Sequence, residues 1–403
     1  MKEYILQNGI KLIYKNIPGA ITSFCIGFEA GANMEKPSEI GVAHALEHMV
    51  FKGTSTKSED EINEQCDELF AFNNAMTNFP YVIYYGVCDK LDFNKAFSLY
   101  SDILVAPIFN SGFNEEIDVI CTESREWKED LEQYCEDVLF YNSFDKRRIK
   151  HTIIGSEEQV KKITLEEVKA FYNRYYIGSN CTVTVVTSID EEAVRKIVEG
   201  NMGILPRGSK MVNGVIYEEL TQGAFEVMVP GFTGAKIEYA FDISELNSDE
   251  IEVLNLFNLW FSEGVSSLLY NELRTKKGLV YDVSATVKNE KGIKLFVINA
   301  STSKDKIGEV KNIIDMIINR LRSKDVDISK EQWVKLQKRL KRKRNLDVER
   351  GIILAVRLTT YSIMYGEGKR LIDELEGNFN LDFEQMTDVV CKIFSKASSQ
   401  IIV

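Results

Sequence analysis

Two of only three histidines in the 403 residues stand four apart around a glutamate, in the run His44-Ala45-Leu46-Glu47-His48. In an α-helix, residues four apart lie on one face, so both imidazoles can reach a single tetrahedral metal ion. Glu47 projects from nearly the same face and is placed to take a proton from water and pass it to a leaving amine. The run therefore requires a helix with an open face, and it predicts a hydrolytic metal centre.

The sequence around this run favours a helix over residues 38–52. Pro37 and Ser38 form a start signal, apolar residues recur at helical spacing, and Gly53 forms a stop signal. Because the glutamate directly precedes the second histidine, the pattern is the inverted form of the common zinc-protease helix.

A third ligand must come from elsewhere, because a catalytic zinc site usually takes three protein ligands. The remaining histidine, His151, lies in a charged segment, which favours a carboxylate. The predicted helical stretch 114–129 carries Glu116 and Glu123, which are seven apart and hence on one face. Spacing alone does not decide which of the two glutamates is the third ligand.

Three segments carry a resemblance to the pitrilysin and insulin-degrading-enzyme family of zinc metallopeptidases. The segments are GVAHALEHMVFKGT at 41–54, EEIDVICTESRE at 115–126 and GVSSLLYNELRTKKGLVYDVSA at 264–285. The chain most resembles the short-chain branch, which includes the mitochondrial processing peptidase and its bacterial relatives. The resemblance covers nearly the whole chain.

The resemblance implies a role for each matching residue of the first half. It implies that His44, His48 and Glu123 bind Zn²⁺, and that Glu47 is the catalytic general base. Glu116 matches a second glutamate, which supports the site from outside the ligand set as metal ligands commonly need.

The resemblance also implies substrate-binding residues and a partner subunit. Arg274 and Tyr281 match an arginine and a tyrosine that hold the substrate backbone and help stabilise the tetrahedral intermediate. Asn74 and Ala75 match an edge strand to which a peptide substrate adds as a further strand. Short-chain members pair two subunits, so a homodimer, or a heterodimer with a related subunit, is expected. In such a pair, Arg274 and Tyr281 would complete the partner's active site.

The chain departs from the family pattern at three places, all outside the metal set. The departures are Phe70 and Ala71 for a pair of glycines, Pro80 and Val82 for an acidic residue and a threonine, and Arg147 and Arg148 for His-Pro. A proline belongs at a strand end or on an edge strand, so the peptide-binding strand is expected to be shaped differently. The departures bear on specificity more than on catalysis.

Length and pattern predict an α+β fold of two similar domains. With 403 residues and 44% hydrophobic content, the chain can form two cores. Glycines and prolines cluster at about 206–215, which predicts a linker between a catalytic zinc-binding domain at 1–205 and a metal-free homologous domain at 216–403. Each half reads as strands followed by helices. This predicts two α/β sandwiches, each an antiparallel-rich sheet covered by helices, the second being a degenerate copy of the first.

Composition argues against several classes of partner and location. No apolar stretch is long enough to cross a membrane, so neither a membrane partner nor a targeting segment is expected. The seven cysteines form no CxxC pair, which is typical of reduced thiols in a cytoplasmic protein. The net charge of −12 argues against nucleic acid as a partner. The basic run at 335–344 is interpreted as the solvated face of a long helix.

These observations predict a zinc-dependent endopeptidase that cleaves unfolded peptides or leader and precursor segments inside an enclosed chamber. A cysteine peptidase is disfavoured, because the histidines that it would need are already used by the motif. Two alternatives stay open. One is a catalytically silent partner subunit that binds peptide or completes the active site of another peptidase chain. The other is a metal-dependent hydrolase acting on a different bond.

Overall fold

A computed structural model describes residues 1–109, 112–211, 214–376 and 381–403. They form two compact units. The first is built from residues 1–125, 152–214 and 344–377, and the second from residues 126–151, 215–343 and 378–403. Each unit contains one β-sheet covered by helices, so the predicted α+β class is confirmed. The contiguous boundaries 1–205 and 216–403 stay a prediction about the halves of the chain.

The first unit contains a six-stranded sheet. Its strands are β1 (Lys2–Ile5), β2 (Lys11–Asn16), β3 (Ile21–Phe28), β4 (Phe72–Thr77), β5 (Val82–Asp89) and β6 (Cys181–Thr187). Their order across the sheet is β1-β2-β6-β3-β5-β4. Only the β2–β6 pair is parallel. β4 therefore lies at an edge of the sheet, with β5 as its one neighbour.

The second unit repeats this topology without β1. Its strands are β7 (Gly223–Val227), β8 (Gly234–Asp242), β9 (Val280–Lys288), β10 (Leu295–Ser303) and β11 (Ser398–Ile402). The order β7-β11-β8-β10-β9 matches β2-β6-β3-β5-β4 strand for strand, and again only the first of these pairs is parallel. The shared order and directions confirm two similar domains.

Helices cover both sheets. They are α1 (Val42–Val50), α2 (Glu59–Leu69), α3 (Phe93–Val105), α4 (Phe113–Glu126), α5 (Leu131–Ser143), α6 (Glu157–Val160), α7 (Leu165–Tyr175), α8 (Glu191–Met202), α9 (Ser248–Phe261), α10 (Leu268–Tyr270), α11 (Ile307–Arg322), α12 (Lys330–Glu349), α13 (Gly351–Tyr365), α14 (Lys369–Glu376) and α15 (Phe383–Ile393). A π-helical turn, Asn271–Thr275, continues α10. Because α1 follows β3 and α9 follows β8, α9 stands where α1 stands in the repeat, and it contains no histidine.

One helix from each half of the chain packs in the unit built mainly from the other half. α13 lies against β3 and β6 of the first sheet, where Leu354, Ala355 and Leu358 join Ile13 and Cys25 in a small apolar core. α5 lies in the same way against β8 and β11 of the second sheet. Each sheet is therefore covered on one face by helices of its own half and on the other by a helix from the opposite half.

Arg147, one of the departures from the family pattern, has a structural role in the second unit. Its guanidinium is 1% exposed and lies 3.1 Å from the Asp242 carboxylate and 4.3 Å from the centre of the Phe144 ring. The Glu218 carboxylate accepts hydrogen bonds from the backbone N–H groups of three successive residues that end at Arg147. Burial lowers the pKa of Arg147, and the Asp242 charge opposes that effect. Arg147, which departs from the family pattern, therefore takes part in a buried ion pair within the second unit.

The basic run at 335–344 lies on helix α12, and Trp333 and Leu340 form the buried side of this helix. Leu346, near the C-terminal end of this helix, is 67% exposed. Five of the seven cysteines are buried and all seven are free thiols. Within the described ranges, no helix combines the length and apolar character that crossing a bilayer requires.

Candidate metal centre

The helix that carries the histidine pair is shorter than predicted. It begins at Val42 and ends at Val50, whereas Pro37 and Ser38 lie in a turn before it. The Glu35 carboxylate starts the helix by accepting hydrogen bonds from the backbone N–H groups of Gly41 (3.1 Å) and Ala43 (2.9 Å). An anion at a helix N-terminus is favourable because the first N–H groups there have no partner in the helix.

Gly41 is required at the helix start for two reasons. Its φ of 91° lies in the left-handed region, which side chains disfavour. A Cβ atom at this position would also lie 2.6 Å from the carbonyl oxygen of Ile154. Because the backbone of Ile154 lies so close to Gly41, this contact fixes where α1 begins.

The structure brings together the predicted metal set. His44 Nε2 lies 3.8 Å from Glu123 Oε1, and His48 Nε2 lies 3.6 Å from Glu123 Oε2. One ligand atom from each of the three residues lies within 4.8 Å of the others. Two ligand atoms at about 2.1 Å from a tetrahedral ion would be about 3.4 Å apart, so the set is slightly wider than a closed zinc site. Two imidazoles and a carboxylate are donors that fit Zn²⁺.

The Glu116 carboxylate contacts the His48 ring nitrogen that does not face Glu123. Its Oε1 lies 2.7 Å from His48 Nδ1, which leaves Nε2 facing Glu123. Its other oxygen pairs with Lys52, whose Nζ also lies 2.9 Å from Glu59. The hydrogen bond with His48, followed by the one from Lys52, lowers the pKa of Glu116 to about 2 against the effect of burial. A charged Glu116 therefore fixes the ring orientation and tautomer of His48.

The two histidines have different environments. Burial, reinforced by the nearby His48, lowers the pKa of His44 to about 3, so its ring is neutral and its lone pair is available. Burial also acts to lower the pKa of His48, but the bond with Glu116 and the charges of Glu123 and Glu47 raise it overall. In the described part of the chain, the buried His44 Nδ1 has no hydrogen-bond partner. A carboxylate therefore orients only the second histidine.

Glu47 is half-buried beside this set and is held by a residue that the sequence did not indicate. The hydroxyl of Thr77, at the end of β4, donates a hydrogen bond to Glu47 Oε2. Burial raises the pKa of Glu47, and the hydrogen bond from Thr77 partly opposes this. Thr77 and Lys52 are the two site residues that sequence reasoning missed. Lys52 stands four residues after His48, and that helical spacing was the one available signal.

A cleft of about 340 Å³ opens beside the set. Its lining includes Glu47, His48 and Glu116, residues 73–75 of β4, and the aromatic residues Phe51 and Tyr100. Asn74 and Ala75 thus lie on an open sheet edge next to the cleft. Pro80 lies in the connection between β4 and β5, outside both strands, and β4 pairs with β5 in continuous register from Phe72 to Thr77. A strand shape that differs from the family's stays a prediction.

Arg274 and Tyr281 lie in the second unit. Arg274 is on the π-helical turn after α10, where its guanidinium lies 5.3 Å from the centre of the Tyr270 ring. It also donates a hydrogen bond to the backbone carbonyl of Tyr281, whose side chain is 69% exposed. A π-turn widens a helix locally and is common at functional sites. The structure brings these two residues to each other on an accessible surface.

Comparison with known families accounts for most of the chain. Residues 11–157 match the family described as Insulinase (Peptidase family M16), and residues 162–340 match the family described as Peptidase M16 inactive domain. The chain belongs to peptidase family M16. Its match to the short-chain branch agrees with the resemblance seen in the sequence. Within this M16 chain, the segment that matches the inactive domain contains no histidine.

Similar proteins support the same assignment. An uncharacterized zinc protease of Rickettsia bellii is 26% identical over 81% of this M16 chain and 80% of its own length. The mitochondrial-processing peptidase subunit beta of Saccharomyces cerevisiae is 28% identical over 51% of the chain and 45% of its own. A crystal structure of a protease from Helicobacter pylori superposes with a TM-score of 0.91 at 18% identity, covering 100% of this chain and 98% of that one. The last comparison shows the shared fold.

Proposed function

We propose that the chain is a zinc-dependent endopeptidase that cleaves extended, unfolded peptides or precursor segments. One observation carries the proposal. His44 and His48 converge with Glu123, next to a half-buried Glu47 and an open sheet edge. When bound by these three residues, zinc would supply Lewis-acid chemistry that polarises the scissile carbonyl and lowers the pKa of a water.

The residues of the chain supply the proton transfers. Glu47 takes a proton from the attacking water and passes it to the nitrogen of the leaving amine, as a general base and then a general acid. Its burial supports this role, because a carboxylate with a raised pKa accepts and releases a proton more readily near neutral pH. Glu116 and Lys52 keep the second histidine in one orientation throughout the reaction.

The open edge of the first sheet supports binding of an extended peptide. Among the described strands, β4 pairs with β5 alone, so its other edge can receive a further strand. The adjacent cleft has aromatic surface from Phe51 and charge from Lys52 and Glu59, and can take a substrate side chain. This geometry supports an endopeptidase, because a peptide strand can extend along the edge in both directions.

We further propose that Arg274 and Tyr281 act on the substrate within a dimer, in the active site of the partner subunit. Their exposure and mutual contact support this role, as does the subunit name of the processing-peptidase relatives. A mixture of Glu47→Gln chains and Arg274→Ala chains is expected to regain peptide cleavage, because each heterodimer then contains one intact site. Cleavage in the mixture that stays at the level of the single variants would contradict shared sites.

The free thiols support a reducing compartment, so we propose a cytoplasmic location, which fractionation of cells with antibody detection would check.

The function itself is tested by a mass-spectrometric cleavage map of a mixed peptide library. The wild-type chain is expected to cleave internal bonds, to lose cleavage when a chelator removes the metal, and to regain it when zinc is added. Absence of cleavage by the zinc-loaded chain would contradict the proposal and would favour a silent partner subunit. Cleavage that survives metal removal would contradict the metal-dependent mechanism.

A further inference from the structure

We propose that Thr77 is a positioning residue for Glu47, which ties the general base to the strand that binds the peptide. This inference rests on the proposed peptidase function and deepens it. It assigns to one residue of the edge strand the task of fixing where along a bound peptide the proton transfers occur.

Thr77 contacts the Glu47 carboxylate through its side chain. Its hydroxyl donates a hydrogen bond to Oε2. Thr77 is 8% exposed, so water competes little for this bond. A glutamate side chain has three rotatable bonds, and a donor held on a strand restricts the orientation of its carboxylate. Glu47 is therefore held by the sheet as well as by its own helix.

The register of the hairpin shows which groups of β4 face the open edge. The N–H of Asn78 donates to the carbonyl of Tyr81 (2.8 Å), so residues 78, 76, 74 and 72 bond towards β5. The intervening residues, Thr77, Ala75 and Asn73, present their N–H and C=O groups outward. At the position of Thr77, the side-chain hydroxyl binds the Glu47 carboxylate. The outward N–H of Ala75 is bonded only to the neighbouring Asn74 side chain, at 2.9 Å.

This arrangement places the base at a fixed step along the edge. A peptide strand can exchange the bond at Ala75 for its own carbonyl, and two residues further along the edge the Thr77 side chain holds the Glu47 carboxylate. Thr77 lies two residues beyond Ala75, a distance of about 6.8 Å along a strand. The substrate residue that pairs with Ala75 therefore determines which peptide bond lies at Glu47 and is cleaved. Thr77 keeps the distance between Ala75 and the Glu47 carboxylate constant.

Valine at position 77 tests the inference because it keeps the shape of threonine and removes the hydroxyl. Thr77→Val is expected to lower kcat by about 10–100-fold, the usual cost of losing an orienting partner of a catalytic group. KM is expected to stay near its wild-type value, because the backbone of β4 still binds the peptide. Thr77→Ser restores the donor and is expected to recover most of kcat. Thr286→Val, at an exposed strand position of the second unit, serves as the matched control.

Two further measurements separate positioning from a loss of structure. Zinc content and peptide affinity, the latter measured by calorimetry in a Glu47→Gln background, are expected to be unchanged by Thr77→Val. The cleavage map of Thr77→Val is expected to spread to neighbouring bonds, because the carboxylate is less restricted. If the valine variant does not fold, Thr77→Ser against Thr77→Ala gives the same comparison, with serine active and alanine impaired.

Each outcome decides between the two proposals. An unchanged kcat in Thr77→Val, or a loss confined to KM or zinc content, would overturn the positioning role and leave the peptidase intact. A serine variant as impaired as the valine variant would also overturn it. No cleavage by the zinc-loaded wild-type chain would overturn the proposed function and this inference together.

Discussion

Replacing Glu47 by glutamine is expected to lower the rate of peptide cleavage by about 10²–10⁴-fold, the range that a positioned general base contributes. The amide oxygen of glutamine can still accept the hydrogen bond from Thr77, so the side chain stays in place and only proton transfer is lost. Zinc content and thermal stability are therefore expected to match those of the wild-type chain. Steady-state kinetics on one defined peptide, with metal analysis of the same sample, measures both effects.

Glu64→Gln is the matched control for this variant, because Glu64 is an exposed glutamate on α2. It makes the same chemical change and is expected to leave cleavage unaffected. Near wild-type cleavage by Glu47→Gln would rule out Glu47 as the base, even if the chain proves to be a peptidase.

A graded loss of zinc affinity is expected along α4. Glu123→Gln removes a ligand charge and is expected to weaken zinc binding by more than about 100-fold, since loss of an outer partner alone costs about 10–100-fold. Glu116→Gln is expected to weaken zinc binding by about 10–100-fold, because it removes only the group that orients His48. Glu115→Gln, at an exposed position of the same helix, is expected to have no effect. Titration against a chromophoric chelator gives all three affinities.

The order of the three affinities is the critical result. A larger loss for Glu116→Gln than for Glu123→Gln would exchange their roles and make Glu116 the third ligand. Equal affinity in all three variants would mean that zinc is held elsewhere. Melting curves in chelator check that each variant folds without the metal, so that a lost ligand is not confused with a lost fold.

The parts of the site that lie within one helix were predictable from sequence. His44, Glu47 and His48 share a face because the geometry of an α-helix fixes the spacing of their side chains. The choice between Glu116 and Glu123 was not decided by spacing, because the two are seven residues apart on one face. Their different distances from the two imidazoles arise from how α4 packs beside α1, which only the fold determines.

Contacts between distant segments account for what the sequence did not predict. The start of α1 is set by the Glu35 carboxylate and by the backbone at Ile154, and neither is a local signal of residues 38–52. Thr77 reaches Glu47 across 30 positions. In the sequence, Arg147 was interpreted as a departure that bears on substrate specificity. In the structure, its guanidinium pairs with Asp242 of the second sheet. Each of these contacts depends on tertiary packing, which overrides or supplements local preference.

The position of α13 has a consequence for synthesis of the chain on the ribosome. β6 completes the first sheet at Thr187, but the helix that covers its second face begins only at Gly351. At about 5–20 residues per second, the roughly 160 intervening residues take about 10–30 s to add. During that interval an apolar sheet face that includes Ile13, Cys25 and Ile83 has no cover. We therefore expect a nascent chain of this protein to need shielding of this apolar surface until translation is nearly complete.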